Sequence, residues 1–252
     1  MIEEKILIQG VETNYKNIGK GKLLLILHGW GSNSEKWQGI GELLSKNGMK
    51  VIILDLPGFG NSQKPSKVWG LDDYCQFIWG FINFLNLEKF YLLGHSFGGA
   101  LAVKCALRFP EKIEKLFLVG AACFRRKALK KKIFYGIAKI LKVFSFFPGY
   151  QSLRKGFYKF IVRKSDYSYT EGIMKDIYLK IIREDLSEIL SRIQIPTIII
   201  WGEKDKIKSV KEARLIQEKI KDSKLEVLPE IGHSPHLENP KKLANILKKF
   251  LK

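Results

Sequence analysis

The chain has 252 residues, of which 46% are apolar, and its formal net charge is +19. An apolar fraction of this size excludes a disordered chain, and the length suits one large domain or one domain with an insertion. The apolar runs are too short for a membrane-spanning helix, and the acidic residues near the start exclude a secretory signal. The three cysteines are too far apart for a metal or redox motif. We therefore expect a cytoplasmic protein.

In chain order, short strand patterns alternate with helical patterns. The sequence predicts an opening antiparallel pair, followed by continuous apolar runs that are typical of strands buried on both faces. The predicted strands cover 4–9, 11–19, 22–29, 50–58, 90–94, 113–122, 195–202 and 224–230. The predicted helices cover 35–48, 71–86, 99–110, 209–220 and 240–251. This alternation predicts an α/β fold with a mainly parallel eight-stranded sheet that carries helices on both faces.

The alternation stops between about residues 122 and 190, where the pattern is helical throughout. We interpret this stretch as a helical insertion into a core formed by 1–121 and 191–252. Between Lys115 and Ser165 there are fourteen Lys and Arg residues and no Asp or Glu, so this segment contributes +14 of the net charge of +19. The basic character of the chain is therefore local.

The segment GHSFG (94–98) follows an apolar strand and precedes a helix of small residues. It matches Gly-x-Ser-x-Gly, in which a strained strand-to-helix turn exposes the serine hydroxyl. The first amides of the following helix then point at the space in front of the serine and favour developing negative charge. Ser96 is therefore the candidate nucleophile, although a glycine-serine turn without chemistry has the same pattern.

A serine nucleophile needs a general base, and the chain has four histidines. His95 adjoins Ser96 in the sequence, so its side chain is expected to point away from the serine. His236 is expected to pack in the core or lie on the surface. His233 lies in a loop after the last predicted strand, at the sheet edge where Ser96 is expected, and is the candidate base.

The base in turn needs an orienting carboxylate, and Glu203 and Asp205 both follow a predicted strand. Asp205 lies further into the loop and is the preferred candidate. Glu203 is the alternative, and it could instead form a surface pair with a nearby lysine. The chain order Ser96, Asp205, His233 is one of the known orders of this triad. Neither a cofactor nor a metal is expected.

An acyl-transfer site also needs hydrogen-bond donors for the oxyanion. The backbone amide of Phe97, the residue after the nucleophile, is the first predicted donor. The second is the amide of Trp30, in the glycine-rich loop that follows the third strand. These two residues, together with Phe124 and His28, are the predicted lining of the substrate pocket.

Five motifs of the chain, in this order, resemble those of the α/β-hydrolase superfamily. They are the oxyanion loop HGWGSN (28–33), the loop DLPGFGNS (55–62), the nucleophile elbow GHSFGG (94–99), the acid loop WGEKD (201–205) and the histidine loop GHSPHLENP (232–240). The resemblance covers nearly all of the chain. It implies an α/β-hydrolase fold with a helical lid inserted at 122–190.

The resemblance also narrows the chemistry. Epoxide hydrolases and haloalkane dehalogenases of this fold carry aspartate at the elbow, where this chain has Ser96. The resemblance further implies that Asp55 is structural and that the enzyme is a serine carboxylesterase acting on small-molecule esters with short to medium acyl chains. Three alternatives are open: a carbon–carbon bond hydrolase of a vinylogous diketone, a lipase or acyl-carrier-protein ester hydrolase, and a non-catalytic ligand receptor that keeps the triad.

The segment 125–150 combines a basic start with apolar residues at helical spacing. Such a lid helix suits an anionic membrane surface, an acidic carrier protein or the steering of an anionic substrate. A lid helix that packs on the core with its lysines in water has the same pattern. No nucleic-acid partner is expected, because no recognition motif accompanies the charge.

Overall fold

The computed structural model describes residues 1–124 and 171–251, and within them the chain forms an eight-stranded sheet. The strands lie in the order β1-β2-β4-β3-β5-β6-β7-β8. They are β1 (Ile2–Ile8), β2 (Val11–Ile18), β3 (Lys22–Leu27), β4 (Met49–Leu54), β5 (Phe90–His95), β6 (Ile113–Val119), β7 (Thr197–Gly202) and β8 (Ser223–Leu228).

Strand β2 is the one strand of this sheet that runs opposite to the other seven. It pairs antiparallel with β1 and β4, whereas every other adjacent pair is parallel. The prediction of a mainly parallel eight-stranded sheet of the α/β class is confirmed.

Helices cover both faces of the sheet. They are α1 (Gln38–Ser45), α2 (Leu71–Phe84), α3 (Phe97–Arg108), α4 (Ile173–Ile181), α5 (Val210–Lys219), α6 (Pro235–Glu238) and α7 (Pro240–Phe250). Helices α1 and α7 contribute to one buried apolar cluster, and α2, α3, α4 and α5 contribute to the other.

The alternation of side chains along β3 explains why two layers are needed. Leu25 and Leu27 belong to one apolar cluster and Leu24 and Ile26 to the other, and all four side chains are fully buried. Successive residues of a strand point to opposite faces, so a central strand that is apolar throughout is stable only between two layers of helices.

Helix α3 begins at Phe97, two residues before the predicted start at residue 99. The strand therefore passes into the helix with Ser96 as the single residue between them. This junction needs Gly98, because a Cβ there would lie 2.1 Å from the carbonyl oxygen of Leu27. The missing side chain lets α3 approach the end of β3.

The predicted lid spans 122–190, and its greater part, 125–170, lies outside the described residues. The basic segment 125–150 is among those residues, so the lid and its role stay predictions. In the described remainder, α4 packs three buried side chains against the core cluster of α2 and α3; these are Met174, Ile177 and Ile181. Among the residues that the structure describes, no helix has the length and apolar content to cross a bilayer.

Candidate active site

Ser96 sits in a strained turn at the carboxyl end of β5. Its φ of 51° and ψ of −110° lie outside the regions that L-residues usually adopt. The turn is held on both sides, because the amide of Ser96 donates to the carbonyl of Val119 at 3.0 Å and its carbonyl accepts from the amide of Ala122 at 2.9 Å. The neighbouring strand β6 and the residues after it thus stabilise a conformation that costs free energy locally.

The structure brings Ser96, His233 and Asp205 into one chain of hydrogen bonds. His233 Nε2 lies 3.0 Å from Ser96 Oγ, and His233 Nδ1 lies 2.6 Å from Asp205 Oδ2. The other oxygen of Asp205, Oδ1, accepts from the amides of Ile207 and Lys208, each at 2.8 Å. The Asp205 side chain is fully buried, whereas the His233 ring is 12% exposed.

These contacts determine the tautomer of His233. An ionised carboxylate only accepts hydrogen bonds, so Nδ1 of His233 carries the proton and donates it to Asp205. The lone pair of Nε2 is then free to accept the hydroxyl proton of Ser96. The alternative acid Glu203 lies outside this chain of bonds, and its Oε2 accepts from the amide of Glu230 at 3.3 Å. Within residues 1–124 and 171–251, no lysine pairs with Glu203.

Two residues that sequence reasoning gave no role fix the loop around His233. The carboxylate of Glu238 accepts from the amide of Gly232 at 2.6 Å and from the amide of Ser234 at 3.0 Å. His95 Nε2 donates to the carbonyl of His233 at 2.8 Å. The signal for Glu238 is its place in the motif GHSPHLENP; His95 carries no comparable signal beyond its position before Ser96.

The loop after β3 lies directly against the nucleophile. A Cβ built on Gly29 would lie 3.4 Å from Ser96 Cβ and 2.9 Å from His95 Nδ1, so only glycine allows this approach. The next residue is Trp30. Within residues 1–124 and 171–251, the backbone amides of Trp30 and Phe97 donate to no backbone carbonyl in the loops, turns and helix caps. Phe97 is the first residue of α3, where an amide has no partner within the helix.

His28 does not line the cavity, which differs from the prediction. Its ring is fully buried, Nε2 accepts from the amide of Leu56 at 3.0 Å, and Nδ1 lies 2.8 Å from the carbonyl of Gly29. Both nitrogens are thereby used to hold the loop, and burial lowers the pKa of His28 to about 4. Its place at the end of a buried strand turns the side chain into the core rather than toward the substrate.

Asp55 supports the same loop from beneath, as the sequence predicts for a structural residue. Its buried carboxylate accepts from the amides of Ser34 and Asn61 and from the side-chain amide of Asn14. The loop after β3, the loop after β4 and strand β2 are therefore joined through one side chain.

A cavity of about 200 Å³ opens in front of Ser96. It lies between the loop after β3 and the histidine loop, and its described lining includes Trp30, Lys36, Ile207, His233 and Leu237. Phe124 is not among the described lining residues, although the sequence predicts it there; its carbonyl instead accepts from Lys208 Nζ at 3.3 Å.

Aromatic rings pack around Trp30 and form an apolar wall beside the nucleophile. The ring centroid of Trp30 lies 4.8 Å from Phe59, 5.4 Å from Phe97 and 5.1 Å from Tyr178. Phe59 and Tyr178 were absent from the predicted pocket. Phe59 lies within the motif DLPGFGNS, whereas no motif marks Tyr178, which lies on α4.

Two further histidines, His95 and His236, line the cavity and stay neutral. Burial lowers the pKa of His95 to about 3 and that of His236 to about 2. His236 stacks on Trp37 with centroids 4.1 Å apart and an interplanar angle of 8°. It is a packing residue, in keeping with the expectation that it is not the base.

Comparison with known proteins supports the same family at the level of sequence and structure. The family model of the alpha/beta hydrolase fold matches residues 22–160. Lipase 3 of Moraxella sp. is 28% identical to this chain over 91% of it and 77% of the lipase. A 2-hydroxy-6-oxo-6-(2'-aminophenyl)hexa-2,4-dienoic acid hydrolase of Metapseudomonas resinovorans is 26% identical over 99% of this chain and 91% of that enzyme. The structure of an esterase from Exiguobacterium antarcticum superimposes with a TM-score of 0.77 at 26% identity, covering 99% of each chain.

Proposed function

The chain belongs to the α/β-hydrolase family, and on that premise we propose that it is a serine hydrolase that cleaves carboxylic esters of short to medium acyl chains through an acyl-enzyme. The observation that carries the proposal is the unbroken hydrogen-bond chain from Asp205 through His233 to Ser96, which ends at a strained turn. A serine hydroxyl is a weak nucleophile at neutral pH and needs such a base.

In the proposed first step, Ser96 Oγ attacks the ester carbonyl carbon while His233 Nε2 takes its proton. Asp205 stabilises the imidazolium that forms and keeps the ring in the required tautomer. The tetrahedral intermediate then collapses, the bond between the carbonyl carbon and the leaving oxygen breaks, and His233 returns the proton to that oxygen. The alcohol departs and the acyl group stays on Ser96.

The negative charge that develops on the carbonyl oxygen needs donors that are already oriented. We assign this role to the backbone amides of Trp30 and Phe97. The contact of Gly29 with Ser96 brings the first close to the nucleophile, and the start of α3 supplies the second together with the positive end of the helix dipole.

Water then attacks the acyl-enzyme through the same two steps. His233 removes a proton from the water, the hydroxide attacks the acyl carbon, and the proton passes to Ser96 Oγ as the carboxylic acid is released. The protein supplies every proton-transfer group in both halves of this cycle.

A second candidate is a carbon–carbon bond hydrolase. It is favoured by the similarity to the dienoic acid hydrolase of M. resinovorans and to a 2-hydroxy-6-oxo-2,4-heptadienoate hydrolase of Pseudomonas putida. The latter is 34% identical over 48% of this chain and 45% of that enzyme. The same serine, histidine and aspartate serve in that alternative. The serine attacks a ketone carbon, the adjacent carbon–carbon bond breaks, and the leaving carbon takes the proton in place of an alcohol oxygen.

The deciding experiment is the hydrolysis of nitrophenyl esters with acyl chains of two to sixteen carbons. The wild type should cleave the shorter esters, and Ser96→Ala should lower kcat by about 10³-fold or more. Ser66→Ala, in an exposed loop, is the matched control and should keep full activity. If the wild type leaves these esters intact but bleaches a coloured 2-hydroxy-6-oxo-dienoate, the carbon–carbon bond hydrolase replaces the esterase.

A further inference from the structure

Apolar and polar residues both line the cavity in front of Ser96. The apolar residues include Ile207 and Leu237, which are 56% and 52% exposed. The polar residues Ser32, Lys36, Ser234 and His236 are called the polar side below. A substrate in this cavity therefore meets polar and charged groups as well as apolar ones.

Lys36 is the charged side chain of the polar side. No Asp or Glu is among the described residues that line the cavity, and His95 and His236, which do line it, are uncharged at neutral pH. The carboxylate of the adjacent Glu35 is engaged elsewhere, by Lys16 Nζ at 2.6 Å. Within residues 1–124 and 171–251, no carboxylate lies within ion-pair distance of Lys36.

Buried polar atoms of the same lining have no hydrogen-bond partner in the part of the chain that the structure describes. They are the hydroxyl of Ser32, Nε1 of Trp30 and the Nδ1 atoms of His95 and His236. The His236 residue is more than nine-tenths buried. Buried polar groups are nearly always bonded in native proteins, so a cluster of unbonded ones around a cavity points to a polar ligand group.

We propose that this polar side binds an anionic substituent, such as a carboxylate, on the alcohol half of the substrate. The inference rests on the proposed function, because His233 must protonate the leaving oxygen. Lys36 lies near the histidine loop, since the next residue, Trp37, stacks on His236. The preferred substrates are then esters whose leaving alcohol carries a negative charge. Lys36 supplies the counter-charge, and the hydroxyl of Ser32 and the indole of Trp30 supply neutral donors.

The test compares two substrates that differ in charge at one position: 3-acetoxybenzoate and its neutral methyl ester. The ratio of their kcat/KM values should favour the anion in the wild type. This ratio should fall about five- to tenfold in Lys36→Met, and Lys36→Arg should retain most of it. Because Lys36 is exposed, added salt should lower the same ratio.

Two controls separate this inference from the proposed function. Lys46→Met, an exposed lysine just after α1, should leave the ratio unchanged. Binding of 3-hydroxybenzoate and its methyl ester to Ser96→Ala, measured by calorimetry, reports on the polar side without turnover. If the acetyl group of neither 3-acetoxybenzoate nor its methyl ester is hydrolysed, but 3-hydroxybenzoate binds in a Lys36-dependent manner, the esterase proposal fails and the anion site stands. If Lys36→Met changes neither the ratio nor the binding, the inference is overturned.

Discussion

The carboxylate of Glu238 is hydrogen-bonded to the backbone amides on both sides of His233. These bonds, at 2.6 and 3.0 Å, hold the main chain just before and just after His233. His95 holds the carbonyl of His233 from the opposite side at 2.8 Å. The orientation of the proposed base is therefore determined by its main chain as well as by Asp205.

We expect Glu238→Ala to lower kcat about tenfold while KM stays close to the wild-type value, because His233 loses orientation and the substrate contacts are kept. Glu238→Gln retains an acceptor oxygen and should lose less. Steady-state kinetics on a short nitrophenyl ester measures both. Glu218→Ala, on the exposed face of α5, is the control, and a Glu238→Ala variant with the same kcat as this control would contradict the positioning role.

Asp205→Asn should lower kcat by about 10³- to 10⁴-fold with little loss of stability. An asparagine that keeps its oxygen on the amides of Ile207 and Lys208 turns its NH₂ toward His233 Nδ1. Nδ1 must then accept, so the ring proton moves to Nε2 and the imidazole can no longer take the proton of Ser96.

The matched control for Asp205→Asn is Glu203→Gln, in the same loop, which should retain wild-type kcat. Thermal unfolding of both variants separates a chemical defect from a folding defect. A large decrease in kcat for Glu203→Gln, together with a wild-type kcat for Asp205→Asn, would identify Glu203 instead of Asp205 as the acid.

Gly29→Ala should impair turnover more than stability. The new methyl group would lie 2.9 Å from His95 Nδ1, so the loop that carries the Trp30 amide has to move away from Ser96. A lost or displaced oxyanion donor lowers kcat by about 10²-fold. Gly39→Ala on α1 is the control: its Cβ meets open space, and a helical alanine should raise stability by about 0.5–1 kcal/mol. Equal kcat in the two variants would contradict the expected loop movement.

His236→Phe should make the protein less sensitive to acid. The folded-state pKa of His236, about 2, lies below the ordinary value of 6.5, so the unfolded chain binds a proton that the folded chain does not. The contribution of neutral His236 to the free energy of unfolding is full above pH 6.5 and decreases as the pH falls toward 2. At pH 5 the loss is about 2 kcal/mol.

Phenylalanine keeps a ring to stack on Trp37 and cannot be protonated. Melting temperatures between pH 4 and 8 for the wild type, His236→Phe and Ser66→Ala measure the effect. The melting temperature of His236→Phe minus that of the wild type should increase toward low pH. Parallel curves would show that protonation of His236 does not destabilise the folded protein.

The sheet and the neighbourhood of Ser96, Asp205 and His233 are predictable from the sequence for a simple reason. Parallel strands are apolar throughout, and their carboxyl ends meet at one edge, so motifs that directly follow such strands must converge. The start of α3 is harder to predict, because its first residue is set by the strained turn at Ser96 rather than by helix propensity.

The residues that sequence reasoning misplaces or misses depend on contacts between distant segments. His28 lies in a motif, yet its direction is decided by the amide of Leu56, 28 residues away. Tyr178 reaches Trp30 only through the packing of α4 on the core. Glu238 is present in the quoted motif, but its role follows from a turn that brings it back to the amides beside His233.

The three-way bonding of Asp55 has a consequence for protein engineering. Since one carboxylate serves Asn14, Ser34 and Asn61, the segments that contain them can be exchanged between relatives only as a set. If the loop after β3 of this chain is moved alone into a relative, the amide of Ser34 loses its acceptor unless that relative has the same aspartate. Recombination boundaries for this chain therefore belong after residue 62, where all these partners travel together.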